Sequence, residues 1–182
     1  MDNQLTFVRD ISWQEVLNDW RERERDYWGW EEHIKERGFK DWDEFRARIH
    51  SKFCNPAKRE WKLYRIEDPY EFVPRMFCGA FPGWKKYYPV NTKQIRFVDL
   101  VKNNKVTQNP KVASIIKSFP SSTIMIGICY KNDFVIFEGT HRASAISILA
   151  AQNNRSKFDL QLVLTNLEDD EQRYFEQFIS QK

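Results

Sequence analysis

Cysteine is scarce in this sequence, and the few cysteines present do not have the spacing of a structural framework. The 182 residues include three, Cys54, Cys78 and Cys129, with no CxxC pair among them. Disulfide-stapled domains and zinc sites need paired or clustered cysteines, so we expect reduced thiols that pack in the interior. The sequence also lacks HExxH, GxSxG and the glycine-rich loop of P-loop enzymes, which excludes the simplest versions of those active sites.

Long apolar runs are also missing from the chain. The longest, IMIGICY at residues 124–130, is far shorter than the ~20 residues that span a bilayer as a helix. The sequence starts with MDNQLTFVRD, which does not have the basic and then apolar pattern of a signal peptide. We therefore expect a cytoplasmic protein without a membrane segment.

Aromatic residues are abundant, and basic residues are concentrated in the middle of the chain. All seven tryptophans lie within the first 84 residues, which predicts an N-terminal layer packed by aromatic rings. The net charge of +3 is divided unevenly, with −2 over residues 1–60, +7 over residues 61–122 and −2 over residues 123–182. A basic middle favours an anionic ligand, either a nucleotide or a nucleic acid, although every protein has some basic surface.

Capping motifs and helical spacing predict that the N-terminal third is helical. Ser12 with Glu15 and Asp41 with Glu44 form two capping boxes, and Gly38 is the predicted end of the helix between them. Prolines and glycines then predict an irregular connection that begins with a short strand, WKLYRI. The predicted organisation is a helical layer over 1–60, a connection over 61–91 and a main domain over 92–182.

The main domain shows a regular succession of helix and strand patterns. TKQIRFVDLVKNN predicts a helix capped by Thr92, and NPKVASIIKSF predicts another that is capped by Asn109 and has Pro110 at its first position. TIMIGICY and DFVIFEG predict a β-hairpin, followed by a helix from Thr140 to about Gln152, the strand FDLQLVLTN and a last helix in EDDEQRYFEQFIS. This order predicts an α+β (mixed α/β) fold around a small mixed sheet.

The stretch DFVIFEGTHRASAISILAA places two cationic residue types, His141 and Arg142, on the first turn of a helix, directly after a strand and Gly139. Cations at a helix N-terminus oppose the macrodipole, so we expect a bound anion there. The free amides of the first turn, the Thr140 hydroxyl and the two cations predict a phosphate site that the glycine allows to approach closely. The alternative interpretation is that His141 and Arg142 pair with acidic neighbours such as Glu138.

Two motifs resemble the ParB/sulfiredoxin-like superfamily. FEGTHRASAI resembles its DG-x-HR-xx-A motif, which reads GGCHR in the sulfiredoxin members. Upstream, PKVASIIKS resembles the family helix whose lysine and two hydroxyl residues hold the ATP phosphates. The resemblance covers roughly residues 92–165 and implies a ParB/sulfiredoxin-like fold with a bound nucleotide. The residues that it assigns to the phosphates are Lys111, Ser114, Ser118, His141 and Arg142, and the first three share one helix face.

The sequence also departs from the branches of that superfamily. Thr140 stands where sulfiredoxin has its nucleophilic cysteine, so we do not expect reduction of sulfinic acids. About 30 residues follow the His-Arg helix, so we do not expect the helix-turn-helix DNA reader of ParB partition proteins in its usual place. The resemblance also extends to a third branch, the free-serine kinases. These enzymes need a carboxylate base and the His-Arg phosphate site, but they need no cysteine.

The first hypothesis is a nucleotide-phosphate-binding protein that transfers or hydrolyses a phosphoryl group. Positioning and charge neutralisation supply most of the catalysis in such reactions. The implied ligands are ATP or another nucleotide, Mg²⁺, and a small hydroxyl compound or Thr140 itself as the acceptor. We expect His141 to donate to a phosphate oxygen, Glu138 to bind Mg²⁺ or act as base, and Asp99 to be a second candidate carboxylate.

The second hypothesis is a protein associated with DNA or RNA. Its expected contacts are in GWKKYYPV, where the rings of Trp84, Tyr87 and Tyr88 flank Lys85 and Lys86. Aromatic rings interleaved with cations suit single-stranded nucleic acid. The opposing interpretation is an aromatic lid that packs on the core and leaves its lysines in solvent.

The third hypothesis is a non-catalytic module whose tryptophan-rich helices bind a partner protein. It predicts an exposed aromatic patch that includes Trp28 and Trp30. The sequence does not indicate an oligomeric state.

Overall fold

The computed structural model describes residues 3–24, 30–46 and 55–180. The chain divides into two compact units, the smaller over Asp10–Trp61 and the larger formed by Met1–Arg9 together with Lys62–Lys182. The predicted α+β class is confirmed, because one mixed sheet of six strands is combined with helices. Among the helices of the described ranges, none has the length and apolarity needed to span a bilayer.

The smaller unit is helical, and its helix ends follow the capping motifs of the sequence. Its helices are α1 (Trp13–Glu24), α2 (Trp30–Glu36) and α3, described over 42–46. The amide of Ser12 donates to Glu15 Oε2 at 2.9 Å and the amide of Glu15 donates to Ser12 Oγ at 3.2 Å, so this capping box is confirmed. Gly38, with φ +75°, ends α2 as predicted.

Aromatic rings and one arginine form the centre of the smaller unit. Trp20 and Trp42 pack edge to face with centroids 5.8 Å apart. The guanidinium of Arg46 lies 4.2 Å from the centroid of the Trp20 ring and forms an ion pair with Glu24 at 2.6 Å. The predicted aromatic packing of the N-terminal layer is therefore present in its described residues.

The larger unit is built on the sheet, whose strand order is β1-β2-β6-β4-β5-β3. The strands are β1 (Leu5–Ile11), β2 (Trp61–Ile66), β3 (Phe77–Cys78), β4 (Ser122–Tyr130), β5 (Asp133–Glu138) and β6 (Asp159–Asn166). β4 runs parallel to β6 and antiparallel to β5, which confirms the predicted hairpin. β2 pairs antiparallel with β6, and β3 pairs parallel with β5.

The described part of the larger unit contains seven α-helices, and the longest of them is buried. They are α4 (Pro69–Phe72), α5 (Pro82–Lys85), α6 (Phe97–Leu100), α7 (Asn104–Thr107), α8 (Pro110–Lys117), α9 (Thr140–Ala151) and α10 (Gln172–Ile179). α9 packs against α8, and its Ala143, Ala145 and Ile146 are fully buried. The helix after the hairpin was predicted within one residue of its observed end.

Two elements differ from the predictions. Only helices are predicted for the N-terminal third, but β1 forms there at the edge of the sheet, where Phe7 and Val8 remain exposed and burial does not follow a strand period. The prediction of a helix that begins at Thr92 is also wrong over the first half of that helix. The chain before α6 is extended, because Cys78 N donates to Ile95 O at 2.9 Å and so binds this segment to β3.

The segment 61–91 is more than an irregular connection. It supplies β2 and β3 to the sheet, together with short helical turns and many buried side chains of the main core. Asp68 caps α4 by accepting hydrogen bonds from the amides of Tyr70 and Glu71. The prolines and glycines of this segment therefore mark turns within the larger unit.

Candidate functional site

Gly139 joins β5 to α9, and two separate constraints require a glycine at this position. Its φ of +105° lies in a region that residues with a side chain rarely adopt. A Cβ atom on Gly139 would also lie 2.7 Å from Cγ of Met125 on the neighbouring strand. The backbone therefore turns sharply between the end of the strand and the first residue of the helix.

The first turn of α9 has no side-chain cap. Gly139 occupies the N-cap position and has no side chain that could accept from the first amides. In contrast, Asn109 caps α8 as predicted, because its side chain accepts from the amides of Lys111 and Val112. The first turn of α9 therefore presents the positive end of a twelve-residue helix without a side-chain acceptor.

Arg142 binds protein groups on two sides. Its Nη1 donates to Thr123 Oγ1 at 2.6 Å and to the carbonyl of Ile124 at 2.8 Å. Its Nη2 donates to the two carboxylate oxygens of Glu138 at 2.5 and 2.6 Å. The side chains of this pair are only 14% and 15% exposed. Arg142 therefore ties the start of α9 to β4 and β5, as the alternative interpretation of this residue expected.

Glu138 is correspondingly not arranged as a metal ligand or a free base. Both of its oxygens accept from Arg142. Among the described residues, no group of three or more His, Cys, Asp or Glu side chains is arranged to hold a metal ion. The residues present therefore do not fit a magnesium site built by the protein alone.

His141 lies between the first turn of α9 and a buried tryptophan. Its ring packs edge to face on Trp84 with centroids 4.9 Å apart. The pKa of His141 is lowered to about 4, mainly by burial and in addition by the positive charges of Lys111 and Arg142, while the negative charge of Glu138 opposes this shift. At neutral pH the imidazole is therefore uncharged, with one N–H donor and one acceptor nitrogen.

α8 brings a second cation to the same place. Lys111 stands in its first turn and is close enough for its charge to lower the pKa of His141. Ser114 and Ser118 are exposed, as Lys111 is. Ser114 lies one turn further along α8, but Ser118 follows the last helical residue as a C-cap with non-helical backbone angles, so the prediction that all three share one helix face is wrong for Ser118. Of these three residues, Lys111 is the one whose charge acts on the His141 ring, across the contact between α8 and α9.

The GWKKYYPV segment forms a packed lid. Trp84 and Tyr87 are only 8% and 7% exposed, and the hydroxyl of Tyr88 donates to the carbonyl of Cys78 at 3.0 Å. Lys85 and Lys86 are exposed. The rings predicted to stack on nucleic-acid bases are therefore not available for stacking in this conformation, because they are packed into the protein.

Asp99 lies on α6, which packs against α9, and its side chain is exposed. It forms an ion pair with Lys102 at 2.7 Å and lines a cavity of about 810 Å³. None of the residues that line this cavity belongs to the segment 138–142. This second candidate carboxylate therefore borders a different cavity and is bound to a lysine.

The described cysteines are packing residues, as predicted. Burial raises the pKa of Cys78 to about 12 and that of Cys129 to about 11, so neither thiol is activated as a nucleophile. Cys54 lies outside the described residues.

Two residues that contact the site, Thr123 and Trp84, were not predicted from the sequence to do so. Thr123 is buried and accepts from Arg142, and Trp84 covers one side of His141. The only signal for Trp84 was the lid interpretation of its segment. For Thr123 there was none, because its partner lies 19 residues away along the chain.

Comparison with known proteins finds no matching family model, no matching curated protein and no matching solved structure. The likeness to the ParB/sulfiredoxin-like superfamily therefore stays a prediction based on the two sequence motifs.

Proposed function

We propose that this protein binds the phosphate groups of a nucleotide at the first turn of α9, with Lys111 and His141 completing the site. The observation that carries the proposal is the uncapped start of this buried helix, directly after Gly139; the helix packs against α8, which has Lys111 in its first turn. Backbone amides at a helix start point toward an anion, and the helix dipole favours negative charge at the same place.

Two side chains add to the amides. Lys111 supplies a positive charge, which is the usual lysine contribution to phosphate binding. His141 supplies a neutral N–H donor, because burial and the neighbouring cations lower its pKa. A bound phosphate would bring negative charge close to the imidazole and would therefore raise its pKa again.

Arg142 has a different role in this proposal from the one that the sequence resemblance implies. Four of its donor contacts are to Thr123, Ile124 and Glu138. We therefore assign Arg142 as a positioning residue that holds the first turn of α9 against the sheet.

Phosphoryl transfer to a small hydroxyl compound is the second part of the proposal, and it follows from the resemblance to the nucleotide-using members of the superfamily. Glu138 is the nearest described candidate for a base, but both of its oxygens are bound to Arg142. Transfer would therefore require this pair to open when the substrates bind. Thr140 is a poor acceptor because it is 7% exposed.

Isothermal titration calorimetry tests the binding step with ATP, ADP and CTP, each with and without MgCl₂. Lys111→Ala should weaken binding by about tenfold or more, which corresponds to about 1.4 kcal/mol. Lys117→Ala is the matched control, because Lys117 is an exposed lysine at the other end of the same helix. Binding that is absent for all three nucleotides at millimolar concentration would overturn the proposal.

Titration with single-stranded DNA at several salt concentrations distinguishes the nucleic-acid hypothesis from the nucleotide hypothesis. Binding of single-stranded DNA should weaken steeply between 50 and 200 mM salt if many phosphates are contacted. A nucleotide held by a few groups at one helix start should lose much less affinity over the same range. The partner-module hypothesis concerned Trp28 and Trp30, whose side chains lie outside the described part of the structure.

A further inference from the structure

The larger unit contains a second place where a small molecule fits. A cavity of about 810 Å³ is lined by Phe77, by the chain segment 87–96 and by residues of 99–103, at the end of α6 and just after it. Its volume is within the range of about 300–1,000 Å³ that is typical of small-molecule sites. The residues that line it come from segments other than the start of α9.

Flat side chains form part of the cavity wall. Phe77 and Tyr87 line it and are more than nine-tenths buried, so their positions are fixed by packing. The guanidinium of Arg96, which also lines the cavity, lies 4.0 Å from the centroid of the Phe77 ring. The two rings are packed into the protein and only border the cavity, but a guanidinium group stacks on planar aromatic molecules, so the Arg96 side of this wall favours a planar ligand.

Two polar side chains of the lining can hydrogen-bond a ligand. Within the described parts of the chain, the Thr92 hydroxyl and the Gln94 side-chain amide form no hydrogen bond. Both groups can donate and accept. They therefore suit a ring whose edge carries donors and acceptors, such as a nitrogen heterocycle. Asn103 is held instead by protein groups, because its Nδ2 donates to the carbonyl of Tyr87 and its Oδ1 accepts from Lys105 N.

Each of the three charged side chains that line the cavity, Arg96, Asp99 and Lys102, has an ion-pair partner. Lys102 binds Asp99 at 2.7 Å, and Arg96 binds Asp133 at 2.7 Å. A charged ligand would have to compete with these ion pairs, whereas a neutral ligand leaves them in place. The charge pattern therefore favours a neutral molecule.

We propose that this cavity binds a neutral, planar heteroaromatic compound of nucleobase or nucleoside size. The cavity is a binding site separate from the first turn of α9, and its occupation does not depend on the phosphate site.

The test is an ¹H–¹⁵N NMR titration of the full chain with adenosine, which has the ring but no phosphate. Ribose is the control compound, because it has the sugar hydroxyls without the ring. Thr92→Trp places a bulky side chain in the cavity from a half-buried loop position. Val98→Trp is the matched control, since Val98 is exposed on α6 and is not part of the lining.

Adenosine should give saturable shifts at the amides of Gln94 and Ile95, while ribose gives none. Thr92→Trp should weaken this binding by about tenfold or more, and Val98→Trp should leave it unchanged. Lys111→Ala should also leave it unchanged, so the failure of the phosphate site and the failure of this cavity are distinguishable. The proposal is overturned if adenosine gives no saturable shifts, if ribose reproduces them, or if Thr92→Trp binds adenosine like the wild type.

Discussion

The guanidinium of Arg142 and the carboxylate of Glu138 form a bidentate ion pair that fastens the first turn of α9 to the last residue of β5. The same guanidinium also reaches Thr123 and Ile124 on β4. One side chain therefore holds the helix start to two strands. This places the uncapped amides of α9 at a fixed position, which is what a phosphate site needs.

Removing Arg142 should destabilise the fold. Arg142→Ala leaves Glu138 with an unpaired charge in a largely buried position, and the expected loss in the free energy of unfolding is about 3 kcal/mol. Arg155→Ala is the control, because the Arg155–Asp68 pair is much more exposed and should contribute less than about 1 kcal/mol. Urea denaturation measures both variants. An equal loss in the two would contradict the structural role of Arg142.

His141 should titrate well below an ordinary histidine. Its pKa of about 4 means that the folded protein binds this proton only in acid, whereas the unfolded chain binds it near 6.5. Between these two values the unfolded chain binds more protons, so stability should fall as the pH is lowered from about 6.5 toward 4. Above about pH 6.5, the stability should not depend on the protonation of His141.

The imidazole ¹H signals of the three histidines measure this pKa directly, and His141→Asn identifies the signal. The same variant should show a smaller loss of stability in acid than the wild type. Addition of ATP should move the His141 midpoint upward. A midpoint near 6.5 in the free protein would show that the ring is not buried beside Trp84 and Lys111 as described.

Gly139 should not tolerate a side chain. Gly139→Ala combines a strained φ of +105° with a contact of 2.7 Å between the new Cβ atom and Met125. The expected loss in the free energy of unfolding is about 1–3 kcal/mol. Gly83→Ala is the matched control, since a Cβ atom at Gly83 meets nothing within 4 Å and its φ is not positive. Thermal denaturation compares the two. A Gly139→Ala variant as stable as Gly83→Ala would disprove the required turn.

The elements that the sequence predicted well are those with local signals. Capping residues such as Ser12 and Asn109 act on amides two or three residues away, so their motifs are readable from a short window. The β4–β5 hairpin and α9 likewise follow from alternation, a short turn and a glycine. The strand–glycine–helix part of the candidate site is local in the same sense.

The remaining features depend on contacts between distant parts of the chain. The segment before α6 is extended because it binds β3, which overrides its helical pattern. Arg142 looked like a phosphate ligand because its partners Thr123 and Ile124 lie 19 and 18 residues away. The packing of Trp84 on His141 depends on the fold in the same way.

The most direct test of the proposed function is an ¹H–¹⁵N NMR titration of the full chain with ATP. The proposal predicts saturable shifts that are largest at the amides of Thr140, His141 and Arg142, and that need at least about tenfold more ATP in Lys111→Ala but not in Lys117→Ala. Saturable shifts confined to another region, or no saturable shifts at millimolar ATP, would contradict a phosphate site at the first turn of α9.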